Sequence, residues 1–168
     1  AVAYSDKNEL NGRYVDTSKD NFINSLSISC YSFTRIAKIF QPILIPGGSL
    51  VTLSFHGASK VMPNYNVMGV AKAALETSVK YLSVDLGDQN VRVNAISAGP
   101  MRTLAGAAIA NARDVFNYTS ENSSLKRNVN LDELGNSALY LVSDLSSAIT
   151  GEIHYVDCGF NIVGMPKS

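Results

Sequence analysis

The chain has 168 residues, 46% hydrophobic and 17% charged, with fourteen basic side chains balancing fourteen acidic ones. That length supports one core rather than several domains, and the composition is that of a folded protein, not a disordered or fibrous one. Balanced charge without long runs of one sign leaves no electrostatic footprint for nucleic acid or an anionic membrane surface.

No apolar stretch reaches the roughly 18 to 20 residues of a membrane-spanning helix, and the opening residues do not read as a charged-then-apolar leader. A soluble chain is expected. Cys30 and Cys158 stand apart, without CxxC spacing or histidine neighbours. They predict neither a disulfide framework nor a metal site, and fit a reducing, cytoplasmic compartment.

Residues 1–4 (AVAY) read as the tail of a buried strand that runs into a polar turn over 5–11, so the chain is expected to begin within a domain. A helical period follows over 17–40. The run 49–55 (SLVTLSF), introduced by Pro46, Gly47 and Gly48, is the first clear strand. A second long helix is predicted over 64–86 and a second strand over 91–97 (VRVNAIS), closed by Ala98, Gly99 and Pro100. A looser helix near 103–116 precedes a polar stretch, 117–130 (NYTSENSSLKRNVN), that reads as an exposed loop.

The helix over 131–145 has the clearest start, because Asn130 followed three residues later by Glu133 spells a capping box. The third strand, 152–156 (EIHYV), is bounded by Thr150-Gly151 and Asp157-Cys158-Gly159. Strands alternating with crossover-length helices predict an α/β fold, a doubly wound parallel sheet of Rossmann type.

The segment 63–76 (PNYNVMGVAKAALE) places Tyr65 and Lys72 seven residues apart. At about 100° per residue, seven steps return nearly to the starting direction, so Tyr65, Met68 and Lys72 are expected on one helical stripe. Helical side chains lean toward the N-terminus, which would aim the lysine at the phenol and lower its pKa. Spacing alone equally fits a tyrosine and a methionine packed on a sheet while the lysine reaches water.

Two other segments bear on the choice. Ser54 and Phe55 end one strand and SAGPM (97–101) ends the next, and ligands of open α/β sheets bind just outside such carboxyl ends. Gly99 would permit close backbone approach to a ligand and Pro100 would stiffen the following turn, although Ala98-Gly99-Pro100 also reads simply as a strand stop. His56 and His154 are isolated, and no GxSxG, HExxH or GxxxxGK[ST] motif occurs.

The runs PNYNVMGVAKAALE, VRVNAISAGPMRTLA and GNSALYLVSDLSSAITGEIHYVDCGF resemble the NADH-dependent enoyl-acyl-carrier-protein reductases of bacterial type II fatty-acid synthesis. These are a divergent branch of the short-chain dehydrogenase/reductases, and the likeness covers residues 1 to about 165. Ordinary short-chain dehydrogenases carry YxxxK, whereas here Gly69 is fourth after Tyr65 and lysine is seventh. Where relatives place proline before glycine after the strand, Ala98 precedes Gly99. Both departures match the enoyl reductases and argue against a reductase of ketones or alcohols.

The resemblance implies roles. Tyr65 would hydrogen-bond the enoyl thioester carbonyl, and Lys72 would hold the nicotinamide ribose hydroxyls of NADH. Val2 and Ser54 would line the cofactor, as would the turn of Gly99 and Pro100, with Met101, Thr103, Leu104 and Ala105 reaching toward its nicotinamide and pyrophosphate end. Ser5, Phe55, Met68 and Ala105 would border the acyl pocket. Phe55 stands where many members have a second tyrosine and cannot supply a proton.

The implied reaction is conjugate reduction of a trans-2-enoyl group on acyl-carrier protein, in a homotetramer. The family's glycine-rich phosphate turn belongs to earlier strands and has no counterpart here, so the chain resembles the second half of the domain plus its C-terminal extension. By itself it is expected to bind NADH poorly and to expose a sheet edge. A non-catalytic assembly fragment is the competing reading.

Overall fold

The computed structural model describes residues 2–44, 46–102 and 112–165. The first long helix starts at Ser18, whose hydroxyl accepts the Asn21 N–H, and runs through α1 (Lys19–Leu26), a wide π-helical turn (Ser27–Tyr31) and α2 (Ser32–Phe40). It matches the helix predicted over 17–40, apart from the wide turn. Over the twelve residues from Ser25 to Ala37 a regular helix would complete three turns and overshoot by about 120°. The wide turn absorbs that surplus. Asn21, Ser25, Ser29 and Ala37 therefore all stay buried.

Three strands pair in parallel in the order β1 (Ser49–Phe55), β2 (Arg92–Ala98) and β3 (Ile153–Val156). Parallel neighbours need crossovers. Helix α3 (Asn66–Asp85) supplies the first; helices α4 (Ala112–Asn122) and α5 (Leu131–Val142) lie within the second. In register, Ser54 faces Ser97, Phe55 faces Ala98 and Ala98 faces Val156, so the strands finish at one rim.

Every residue of β2 is buried, as a strand covered on both faces requires. Val93 and Ala95 pack with Ala37, Val79, Leu82 and Leu86 on the α2–α3 side, and Ile96 and Ala98 pack with Leu134 and Leu141 of α5 on the other. Alternate residues thus serve two layers, which is the period of an extended strand. This is the α/β parallel architecture expected from the sequence.

Two buried polar residues of β2 fasten the far end. The Arg92 guanidinium donates to the carbonyls of Leu141 (2.9 Å) and Ser143 (3.0 Å) and to the Ser146 hydroxyl (2.7 Å). It thereby caps the C-terminal end of α5, where carbonyls lack partners and a cation is favoured. Asn94 donates to the Ile149 carbonyl and accepts the Glu152 N–H. At the other end of α5 the capping box is present: Asn130 accepts the Glu133 N–H at 2.9 Å, and the Glu133 carboxylate accepts the Asn130 N–H at 3.0 Å.

The structure differs from expectation in two places. Residues 117–122, read as loop, are helical within α4. Their serine and asparagine side chains bond carbonyls of their own turns, Ser120 to Asn117 and Asn122 to Tyr118. Thr119 is buried, and the Tyr118 ring meets Phe160 edge-on at 6.2 Å, so tertiary anchoring overrides a polar composition. Residues 2–4, read as the tail of a strand, pair with no strand among the described residues. The Ser29 hydroxyl instead accepts the Tyr4 N–H at 2.8 Å and donates to the Tyr4 carbonyl at 3.0 Å. The Tyr4 backbone is thus paired through a side chain rather than a ladder.

Candidate active site

Tyr65 is the residue before α3, flanked by Asn64 and Asn66 at φ of 57° and 35°. Asparagine tolerates this left-handed region better than most residues. The twist sets the phenol at the sheet rim, where it is buried (7% exposed) and meets the Phe55 ring edge-on, centroids 5.0 Å apart. Leu10, Met68, Phe22, Leu26 and Met62 complete an apolar cluster around it.

Two glycines make room for the ring. A Cβ on Gly57 would lie 2.4 Å from the Tyr65 ring, and a Cβ on Gly69 would lie 2.7 Å from the Gly57 carbonyl oxygen. Neither glycine was assigned a role from sequence. A signal did exist, since glycine inside a helix costs about 1 kcal/mol relative to alanine and calls for a packing reason.

Lys72 is buried at 6% exposure, and its ammonium donates to the Leu53 carbonyl of β1 at 2.8 Å. One helical turn on, the Glu76 carboxylate accepts the hydroxyl of Ser54. Helix α3 thus holds consecutive residues at the carboxyl end of β1 through an ammonium and a carboxylate. Glu76 was also missed in the sequence.

The lysine does not lower the phenol's pKa. Burial pushes the Tyr65 pKa upward and nearby Glu76 pushes it the same way, while burial pulls the Lys72 pKa down, against the opposing influence of Glu76 first and Cys30 second. The expectation fails because Tyr65 precedes the helix, between two left-handed residues, so the seven-step phase is not continuous. The Lys72 arm is also claimed by the strand carbonyl. In consequence Tyr65 keeps its proton and is a hydrogen-bond donor.

Met68 is buried beside Tyr65, with the Ser29 oxygen 3.8 Å from its sulfur. The Ser5 hydroxyl donates to Asn21 Oδ1 at 3.2 Å, an anchor that sequence reasoning did not name. Val2 is 56% exposed. Beside Gly99, the space a side chain would need is taken by Asp157 and Val129, 3.1 to 3.3 Å from the position of a Cβ. The chain's own packing therefore favours glycine here, and its N–H donates to the Val156 carbonyl.

Pro100 follows, partly buried at the rim, and Met101 packs toward α5 with Ile96, Ala98 and Leu134. Thr103, Leu104 and Ala105 lie outside the described residues. Ser54, Phe55, Tyr65, Met68 and Lys72 therefore gather at one end of the sheet, whereas Val2 and Met101 are not seen to join them. Among the described residues no helix is long and apolar enough to cross a membrane, and no cluster of metal-ligand side chains occurs.

A parallel α/β sheet with a crossover helix and polar side chains gathered at the strand ends is a Rossmann-like frame. Residues 1–161 match the family pattern described as Enoyl-(Acyl carrier protein) reductase. The chain is 58% identical over 166 residues to enoyl-[acyl-carrier-protein] reductase [NADH] 2 of Rhizobium meliloti, covering 99% of this chain and 62% of that protein. It is 55% identical to the NADH enoyl reductase FabI of Rickettsia typhi, covering 99% and 64%.

Among solved structures, FabI of Candidatus Liberibacter asiaticus superposes with a TM-score of 0.96 at 57% identity, covering 99% of this chain and 64% of that one. The enoyl-(acyl-carrier-protein) reductase of Anaplasma phagocytophilum, in complex with NAD, gives 0.95 at 59% identity with the same coverage. The chain belongs to the enoyl-(acyl carrier protein) reductase family. It spans a little under two thirds of the length of these relatives.

Proposed function

We propose that this chain carries the tyrosine–lysine half of an NADH-dependent enoyl-acyl-carrier-protein reductase, which converts trans-2-enoyl thioesters to acyl thioesters in fatty-acid elongation. The observation that carries the reading is the buried Tyr65 set between Phe55 and Gly57 at the carboxyl end of β1, with the Lys72 ammonium anchored to the same strand end.

The residues present fit the nicotinamide end of the cofactor. An ammonium has three donors; one goes to Leu53, and two remain for the ribose hydroxyls. Ser54, Gly99 and Pro100 lie along the adjoining strand ends, where such a ligand would rest. NADH, when bound, supplies the hydride. Tyr65 donates its O–H to the thioester oxygen, where negative charge gathers as the double bond is reduced. A fixed donor of this kind contributes on the order of 10² to 10³ in rate. Phe55 and Met68 present apolar surface to the acyl chain and exclude water, and Ser5, held by Asn21, borders the same side.

The protein is read as a cytoplasmic homotetramer. Tyr31, Tyr81 and Val84, 60 to 77% exposed, put apolar surface on the first long helix and on α3, the kind of surface a subunit contact would cover.

The test is to mix the purified chain with NADH and a crotonyl thioester, with and without a separately produced N-terminal portion of the family domain. Oxidation of NADH that depends on the added portion is the expected result. Absence of turnover in both mixtures, with the complex shown to form, would remove the enzymatic reading in favour of a non-catalytic assembly fragment.

A further inference from the structure

We propose that Glu76 is a positioning residue of this active site, acting as the counter-ion that keeps the buried Lys72 charged for cofactor binding while fixing Ser54 at the end of β1. The inference rests on the reading of Lys72 as a ligand of the nicotinamide ribose.

The geometry carries it. Lys72 and Glu76 are one turn apart on α3, the spacing that puts two residues on the same face of a helix. Lys72 grips the Leu53 carbonyl and Glu76 accepts the hydroxyl of the very next residue, Ser54. Lys72 is 6% exposed and Ser54 4% exposed. A buried ammonium is expensive unless a charge of opposite sign lies close.

The groups that face Lys72 come from three elements. They are Glu76 on its own helix, the Leu53 carbonyl on β1, and the Cys30 thiol on the wide turn; the Ser54 hydroxyl is turned to Glu76, and Tyr65 shares the rim. Burial draws the lysine toward its neutral form, and Glu76 chiefly opposes that pull. Cys30 is meanwhile engaged with Ser78 at 3.4 Å. The carboxylate is thus placed to decide at what pH the lysine stops binding the cofactor.

The experiment is a fluorescence titration of NADH at a series of pH values, in a reductase of full family length carrying this sequence. It compares the parent with Glu76→Gln, which keeps an oxygen for Ser54 and removes the charge, and with Lys72→Ala. The expected result is that Glu76→Gln moves the alkaline loss of NADH affinity at least one pH unit lower. On that limb the shift amounts to about tenfold in the dissociation constant. Lys72→Ala should be weak at every pH.

A displacement smaller than one unit, with Lys72→Ala still weak, overturns the counter-ion role and leaves the functional reading standing. Parent affinity in Lys72→Ala at every pH overturns that reading and this inference together. Should Glu76→Gln fail to fold, Glu76→Asp carries the test, since it retains the charge and should keep the limb within about half a unit of the parent; a full unit of displacement there overturns the proposal.

Discussion

A methyl group on Gly69 would stand 2.7 Å from the carbonyl oxygen of Gly57. The position four residues after Tyr65, where ordinary short-chain dehydrogenases carry their lysine, is therefore pressed against the turn that supports the tyrosine ring. A side chain of any size is excluded there, and the lysine stands three residues further on.

Because the obstructing atom is backbone, Gly69→Ala should lower stability by about 1 to 3 kcal/mol, read from chemical denaturation. Gly57→Ala instead collides with the Tyr65 ring at 2.4 Å. It should reduce turnover by more than it reduces NADH affinity. Parent turnover in Gly57→Ala would mean that the ring's placement against this turn does not matter for chemistry.

Tyr65→Phe, in a full-length reductase, should cut turnover roughly 10²- to 10³-fold while cofactor affinity stays near that of the parent, since only the donor to the substrate oxygen is lost. Steady-state kinetics with a crotonyl thioester and a parallel NADH titration separate the two effects. Equal turnover in parent and variant would take Tyr65 out of the reaction.

Arg92→Met should destabilise the fold by about 1 to 3 kcal/mol, because it removes the buried charged donor that ties the end of α5 to β2. The Leu141 and Ser143 carbonyls keep only their bonds from Ser49 and Ser146. The loss should be global rather than confined to the rim, as seen by hydrogen exchange in β2 and α5. Protection unchanged from the parent would show that water replaces the guanidinium at no cost.

Acid should weaken the start of α5. The Arg127 hydrogen bond, first, and the Asn130 N–H, second, hold the Glu133 carboxyl below its ordinary value of 4.5. A carboxyl whose pKa is lowered by folding contributes stability that is present above the unfolded value and is lost as pH falls through the folded one. Glu133→Gln should therefore be less stable than the parent at pH 6 and converge with it below about pH 4. Melting temperatures taken between pH 3 and 7 measure the difference; a constant gap across that range would contradict it.

The alternation of strands and helices and the capping box of α5 were legible in the sequence because each rests on local rules: period, turn residues and caps. So was the gathering of Ser54, Phe55, Tyr65, Met68 and Lys72, since strand ends and a crossover helix meet at one rim in such folds. The relation between Tyr65 and Lys72 was not legible. It depends on left-handed turns at Asn64 and Asn66 and on a strand carbonyl that captures the ammonium, and neither leaves a spacing signal. Glu76 was hidden as one more charged residue on a long helix, and the packing of Asp157 beside Gly99 was hidden because it is a non-local event. Helix α4 was hidden by its composition, its anchors being Phe160 and its own polar side chains.

The π-helical turn at Ser27–Tyr31 holds one residue more than the flanking helices need to keep their buried sides aligned. Between Lys19 and Phe40 it is the one stretch where dropping a residue heals the winding and leaves Ser25 and Ala37 inward. A deletion elsewhere in either helix would swivel everything beyond it by about 100°. The helix has its slack gathered at a single joint, so length variation among its kin should be forgiven there and punished on either side.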